Sequence, residues 1–268
     1  MNILITGSSG VIATQLIKYF KELDKNVYTL SRHKDADYLV DLSSLNIDFE
    51  IIDVKIDVII HCAFVIPKSF DEDSDEIFRK NKIITDNTVR LVDKIKPKQI
   101  INISSIALYP NVSGCFTENS DLNPEVNWNK NYGNSKLYVE NTFTELINKT
   151  CDVCHLRVSQ LLADDLTDTL QKNFLQELKE KNTITVFANG KRESNFIFTS
   201  KLCSVIDQVI DKSIEGVYNC GDFQQNYLDF AENFIVNYGN DNSKIVLVDK
   251  GTPTIFRLNC TKLLKALN

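Results

Sequence analysis

The chain has 268 residues, 43% hydrophobic and 25% charged, enough for one large core with a smaller lobe attached. Its net charge of −6, with DEDSDE at 71–76 the only dense charge block, argues against broad nucleic-acid or anionic-membrane binding and leaves room only for a small basic pocket. The opening MNILITG runs into an apolar stretch without a basic leader, and no segment has the length of a membrane span, so a cytoplasmic protein is expected.

The first expected strand, NILIT at 2–6, meets a glycine turn and then a helical pattern, VIATQLIKYFKELD, whose Ile12, Leu16, Tyr19, Phe20 and Leu23 share a face. The turn reads Gly7-x-x-Gly10-x-x-Ala13. Gly7 permits a tight turn, Gly10 removes a side chain where a pyrophosphate approaches, and Ala13 lets helix and strand pack closely. N–H groups at the helix start attract phosphate oxygens. This strand, turn and helix in sequence point to a dinucleotide, with Thr6, Ser9, Val11 and Ile12 as further contacts around the loop. The second strand, NVYTL at 26–30, ends in Ser31 and Arg32 with no acid at its tip. An arginine there suits a ribose phosphate and a carboxylate suits the free hydroxyl, so NADP(H) is favoured and NAD(H) remains possible. Asp41 and Leu42 follow on the adenine side of either cofactor.

The third strand, DVIIHCA at 57–63, ends in His61, which reads as a structural, hydrogen-bonded residue. Small Cys62 and Ala63, with Phe64 next, bring the backbone close to a cofactor. DEIFRKNKIITDNTVRLVDKI at 75–95 is helical, with Ile77, Ile84, Val89 and Leu91 at helical spacing. QIINIS at 99–104 and DVCHLRV at 152–158 complete the strand series, Val158 ending beside the cofactor. Cys151 and Cys154 form a C-x-x-C, but the residues around them alternate like a strand, so buried reduced thiols are expected and no metal site. Past residue 165 the rhythm loosens into helices and short strands such as ITVF, GVYNC and KIVLVD. The predicted fold is α/β: a Rossmann-type doubly wound parallel sheet over 1–163, and a small mixed α/β substrate lobe over 164–268, partly interwoven with the first domain.

Chemistry gathers between the fourth and fifth strands. INISSIALYP ends a strand on two serines, and YGNSK sets Tyr132 and Lys136 four apart, hence on one helix face. A free phenol has a pKa of about 10, and an adjacent ammonium group lowers it by stabilising the anion. Ser105 is then placed to orient a carbonyl while Tyr132 supplies its proton.

With these segments together, the sequence resembles the extended short-chain dehydrogenase/reductase family, in its branch of nucleotide-sugar epimerases, dehydratases and reductases, over nearly the whole chain. TGSSGVIA is similar to TGxxGxxG with alanine last, Asp41-Leu42 to the adenine-site acid, and HCAF to H-x-A-A. Asn81 resembles an asparagine that helps hold the active-site architecture. SSIALYP and YGNSK match the catalytic serine and the YGxSK pair, which implies catalytic roles for Ser105, Tyr132, Lys136 and Asn81. HLRVSQL resembles L-R-x-x-N, NFIFTSKLCSVI resembles R-D-[FY]-I-H-V-x-D, and RLNCTKLLKAL the terminal D-x-S-K helix.

The departures narrow the activity. The Asp-Glu of the family's dehydratases is Ile106-Ala107 here, and the cysteine base of its fucose-type epimerase-reductases is Ile106. Gln160 replaces the asparagine of L-R-x-x-N, and Ser194-Asn195 replaces Arg-Asp, so substrate contacts differ, with Arg192 and Arg257 as candidates for a diphosphate. The resemblance implies an NADPH-dependent reductase of a nucleoside-diphosphate keto sugar of the 4-keto-6-deoxy type. Tyr132 would give the proton, Lys136 would bind the nicotinamide ribose, and Ser105, Ile106, Tyr132, Gln160, Arg192 and Arg257 would face the substrate. The alternatives are a 4-epimerase with tightly held NAD, a reductase of a small non-sugar carbonyl, and a non-catalytic dinucleotide sensor. The family also implies a homodimer.

Overall fold

A computed structural model describes residues 1–268, the side chain of Phe70 excepted. The chain begins with β1 (Asn2–Thr6), α1 (Val11–Glu22), β2 (Asn26–Ser31), the two-residue β3 (Tyr38–Leu39) and β4 (Val58–His61). Next come α2 (Asp75–Ile95), β5 (Gln99–Ser105), β6 (Gly114–Phe116), α3 (Lys130–Thr142), β7 (Asp152–Val158) and β8 (Gln160–Leu162). α4 (Thr169–Lys181), β9 (Thr183–Phe187), β10 (Glu193–Phe198), α5 (Thr199–Asp211), β11 (Gly216–Cys220) and β12 (Phe223–Asn226) follow, and α6 (Tyr227–Tyr238), β13 (Lys244–Val248), β14 (Phe256–Leu258) and α7 (Thr261–Leu267) complete the described chain.

Seven strands form one parallel sheet in the order β11-β7-β5-β4-β1-β2-β3. Its strands are apolar on both faces because both faces are covered. Ile3 and Ile5 of β1 point to one side, where Ala13, Leu16 and Phe20 of α1 meet Leu202, Val205, Ile206 and Val209 of α5. Leu4 points to the other, against Ile84, Leu91 and Val92 of α2, Val139 of α3 and Phe143 just after α3. Chain order reverses between β1 and β4, and at such a switch point the carboxyl ends of neighbouring strands open a crevice.

Beyond residue 163 the chain goes out and back twice. α4, β9 and β10 leave the sheet, α5 and β11 return to it, β12, α6 and β13 leave again, and α7 packs back on β11. The outer elements have their own aromatic core of Phe174, Phe196, Phe230 and Phe234, in which Phe196 stacks on Phe230 at 5.4 Å between ring centroids. β14 pairs with β6, carrying a fourth cluster, Tyr109, Phe116, Phe256 and Leu258. Among the described residues no helix is long and apolar enough to cross a membrane.

Candidate active site

The glycine turn is fixed by sterics. Gly7 has φ +68°, and a Cβ there would lie 2.6 Å from the Ala63 Cα, so both the dihedral and the approach of the segment after β4 demand glycine. Gly10 caps α1 with its position open toward the crevice; a Cβ would meet only the Gly7 carbonyl, at 3.4 Å. Thr6 does not reach the surface. Its Oγ1 accepts from the Ala63 N–H at 3.2 Å and lies 3.0 Å from His61 Nδ1, which ties β1 to the end of β4.

Two cavities continue from this turn. One, of about 410 Å³, is lined by Gly7, Ser9, Gly10, Ser31, Arg32, Asp41, Leu42, Cys62, Ala63 and Phe64, together with His33, Ser43 and Lys80, which the sequence reading did not single out. The other, of about 310 Å³, includes Gly10, Val11, Ile12, Cys62, Phe64, Ser105, Tyr132, Lys136, Val158 and Gln160. Gly10, Cys62, Phe64 and Ile66 belong to both, so the two adjoin as one groove along the carboxyl ends of the strands, where this topology places a ligand crevice. Asp41 accepts from Ser43 N at 2.9 Å and Oγ at 2.7 Å; burial works against its charge, but these bonds and the cations Arg32 and Lys80 keep its carboxyl below the usual range.

Ser105 ends β5 and starts a short turn, Ile106–Leu108, by accepting from the Ala107 N–H at 3.1 Å. α3 lies across this turn so closely that a Cβ on Gly133 would stand 2.7 Å from the Ala107 carbonyl oxygen and 2.6 Å from Pro124 Cβ. That contact explains the glycine of YGNSK. The start of α3 is held by Asp73, whose two carboxylate oxygens accept from the backbone N–H groups of Asn131 at 2.9 Å and Tyr132 at 3.0 Å. Asn127 is a second clamp: it accepts from Asn111 N at 2.7 Å and donates to the carbonyls of Ala107 at 2.7 Å and Tyr109 at 2.9 Å.

Lys136 is 4% exposed, donates to the Ile103 carbonyl at 2.7 Å and sits 3.6 Å from the Phe64 ring centroid and 5.6 Å from that of Tyr132. Burial pulls its pKa down to about 7, against the opposing pull of Cys62 and Glu140. The Tyr132 phenol moves the other way, pushed up to about 12 by burial with Ser105 opposing. The sequence led us to expect a phenol lowered by the ammonium. Here the ammonium faces a carbonyl and an aromatic ring instead, and desolvation of the phenolate dominates.

Behind these residues lies a buried ion pair. Arg157 Nη2 donates to Glu140 at 2.8 Å and Nη1 to the Tyr109 hydroxyl at 2.9 Å, while Ser104 donates to Glu140 at 2.5 Å. Burial disfavours the Glu140 charge, but Arg157 outweighs it and keeps the carboxyl ionised below its usual range. Glu140 is one helical turn beyond Lys136, so this network locks α3 against β5 and β7.

A third cavity, of about 360 Å³, opens on the far side of Ser105 and Tyr132. Its wall includes Ile106, Ala107, Gln160, Arg192, Ser194 and Tyr227, and Glu193 is its one carboxylate among the described residues. The Arg192 guanidinium lies over the Tyr227 ring at 5.5 Å, and its Nε is buried without a protein partner. Arg257, expected at the substrate, is not part of this wall. Alternation along β14 turns Phe256 and Leu258 inward and Arg257 outward, 3.7 Å from Glu193. Asn81 does not face a cavity either: fully buried, it accepts from Val65 N at 2.7 Å and donates to Val65 O at 2.9 Å, an architectural role. Ser105 and Tyr132 therefore stand between the groove and the outer cavity, where a hydroxyl pair can bind and protonate a carbonyl oxygen.

Comparison with known proteins identifies the family and the fold. The sequence model of the NAD dependent epimerase/dehydratase family matches residues 3–221. No curated protein sequence matches the chain. Among solved structures, an NAD-dependent NDP-hexosamine 5,6-dehydratase involved in tunicamycin biosynthesis is similar, with TM-score 0.82, 15% identity, and coverage of 100% of this chain and 91% of that one. The UDP-N-acetylglucosamine 4-epimerase from Bacillus cereus gives TM-score 0.80 at 19% identity, covering 100% and 90%. The UDP-glucose 4-epimerase from Thermotoga maritima, solved with UDP-glucose, gives 0.80 at 16% identity, covering 99% and 92%. At these identities the likeness is one of fold.

Proposed function

The chain belongs to the NAD dependent epimerase/dehydratase family, and from that premise we propose that it is an NADPH-dependent reductase of a nucleoside-diphosphate keto sugar, of the 4-keto-6-deoxy type. The observation that carries this reading is the wall beside Ser105. Where a dehydratase would need an acid and a base to remove water, the chain presents Ile106 and Ala107, which do not ionise. Reduction of a carbonyl needs no such second acid–base pair beside Ser105. It requires a hydride, which a bound nicotinamide supplies, a hydrogen-bond donor at the developing oxyanion and one proton.

Ser105 and Tyr132 meet the last two needs. The Ser105 hydroxyl holds the carbonyl oxygen, and the Tyr132 phenol donates its proton to that oxygen as charge develops there. A phenol pushed up to about 12 is fully protonated at neutral pH, the form a reduction consumes. A 4-epimerase would need the same tyrosine first as base and then as acid, whereas a reductase needs only the acid. Arg32 and Lys80 in the 410 Å³ cavity supply positive charge for a ribose phosphate, which favours NADPH. Arg192, with a buried Nε free of protein partners, suits the diphosphate of the substrate.

Tyr132→Phe tests the assignment. Turnover of the keto sugar should fall by about 10²-fold or more, the range for losing a general acid, while dinucleotide binding stays within a factor of a few of the parent. Retained turnover in that variant would contradict it.

A further inference from the structure

In the motif H-x-A-A the fourth residue is alanine; this chain has Phe64. Its ring lies with Lys136 Nζ 3.6 Å from the centroid and meets Tyr132 edge-on at 5.8 Å, at the point shared by the two halves of the dinucleotide groove. The Lys136 ammonium is thus enclosed. One donor goes to the Ile103 carbonyl, the aromatic face covers another side, and only 4% of the residue is exposed. A ligand hydroxyl cannot reach Nζ through the Phe64 ring.

The backbone around Phe64 is fixed on both sides. Ala63 N–H donates to Thr6 Oγ1, and both backbone groups of Val65 bond to the buried Asn81 side chain. No hydrogen bond fixes the half-buried ring, which packs against the edge of the sheet core. We propose that Phe64 is a side-chain gate: in the closed position it caps Lys136 and divides the groove, and a dinucleotide must turn it aside to lie across both halves and reach the ammonium. This inference rests on the dinucleotide reading of the groove. The attraction between ring and ammonium holds the gate closed, so only the open fraction of molecules accepts the cofactor.

The test is the rate at which NADPH and NADH associate, read by stopped-flow from nucleotide fluorescence, in the parent chain and in Phe64→Ala, Phe64→Leu and Phe64→Trp, each checked for folding by circular dichroism. Removing the ring should raise the association rate by about tenfold or more, Leu should fall between, and Trp should slow it, because the rate scales with the open fraction. If Phe64→Ala does not fold, the order Leu faster than parent faster than Trp decides alone. Equal rates across folded variants, or a slower Phe64→Ala, would overturn the gate and leave the dinucleotide reading standing. If neither the parent nor Phe64→Ala takes up either nucleotide, the dinucleotide reading falls and the gate with it. A parent that excludes nucleotide while Phe64→Ala accepts it would support the gate in its strongest form.

Discussion

Lys136 is buried beside Tyr132, and that burial disfavours its charge. With its pKa down at about 7 from the ordinary 10.5, the unfolded chain binds the proton more tightly than the folded one between those two values. The folded state therefore bears the full penalty below pH 7 and sheds it as pH rises toward 10.5. Lys136→Met removes the group. Its stability relative to the parent should be greatest below pH 7 and should shrink by up to about 1.4 kcal/mol per pH unit above it, measured as the difference between urea denaturations across pH. A difference that does not vary with pH would mean that the lysine is not desolvated. Single residues were unevenly legible in the sequence. Ser105, Tyr132 and Lys136 share a cavity, and spacing alone brought the last two together. The direction of the Tyr132 shift was not legible, because it depends on what the ammonium faces, and Phe64 comes from a different strand end. Arg257 shows the same limit: its charge was visible and its outward position on β14 was not.

Secondary structure emerged well where hydrophobic period and length agree. The helix expected at 75–95 is α2, Asp75–Ile95, and the strand expected at 152–158 is β7, Asp152–Val158. The strand expected at 57–63 is shorter, Val58–His61, because Cys62 and Ala63 leave the sheet to pass the Gly7 turn. β3, with only two residues, and the β6–β14 pair, joined across more than a hundred residues of chain, leave no local pattern to read. The acidic run at 71–76 also read as a mere charge block. In the fold, Asp75 and Glu76 sit in the first turn of α2, favourable to its dipole, and Asp73 caps α3 from outside that helix. Asp73→Ala should cost about 1 kcal/mol of stability, with loss of two N–H acceptors at the turn that carries Tyr132, and lower turnover along with it. Denaturant unfolding and steady-state kinetics on the same variant check both, and a variant unchanged in each would show that α3 needs no such cap.

At the scale of the molecule, function follows from the seam between a covered parallel sheet and a lobe threaded back onto it. The sheet presents the groove at its switch point, β14 and the lobe build the outer cavity, and Ser105 with Tyr132 divides the two. Doubly wound topology was legible because each strand and helix announced itself in order. The outer cavity was not, since Trp128, Asn127, Thr254 and Tyr227 reach it from segments far apart in sequence. The most direct measurement is to mix the purified chain with NADPH and nucleoside-diphosphate 4-keto-6-deoxy sugars and follow loss of the reduced nicotinamide together with the products. Stoichiometric consumption of NADPH, with one 4-hydroxy sugar formed per nicotinamide oxidised and NADH a poorer donor, is the predicted result. No consumption of reduced nicotinamide, with interconversion of 4-epimers by protein that retains NAD, would contradict the reductase assignment.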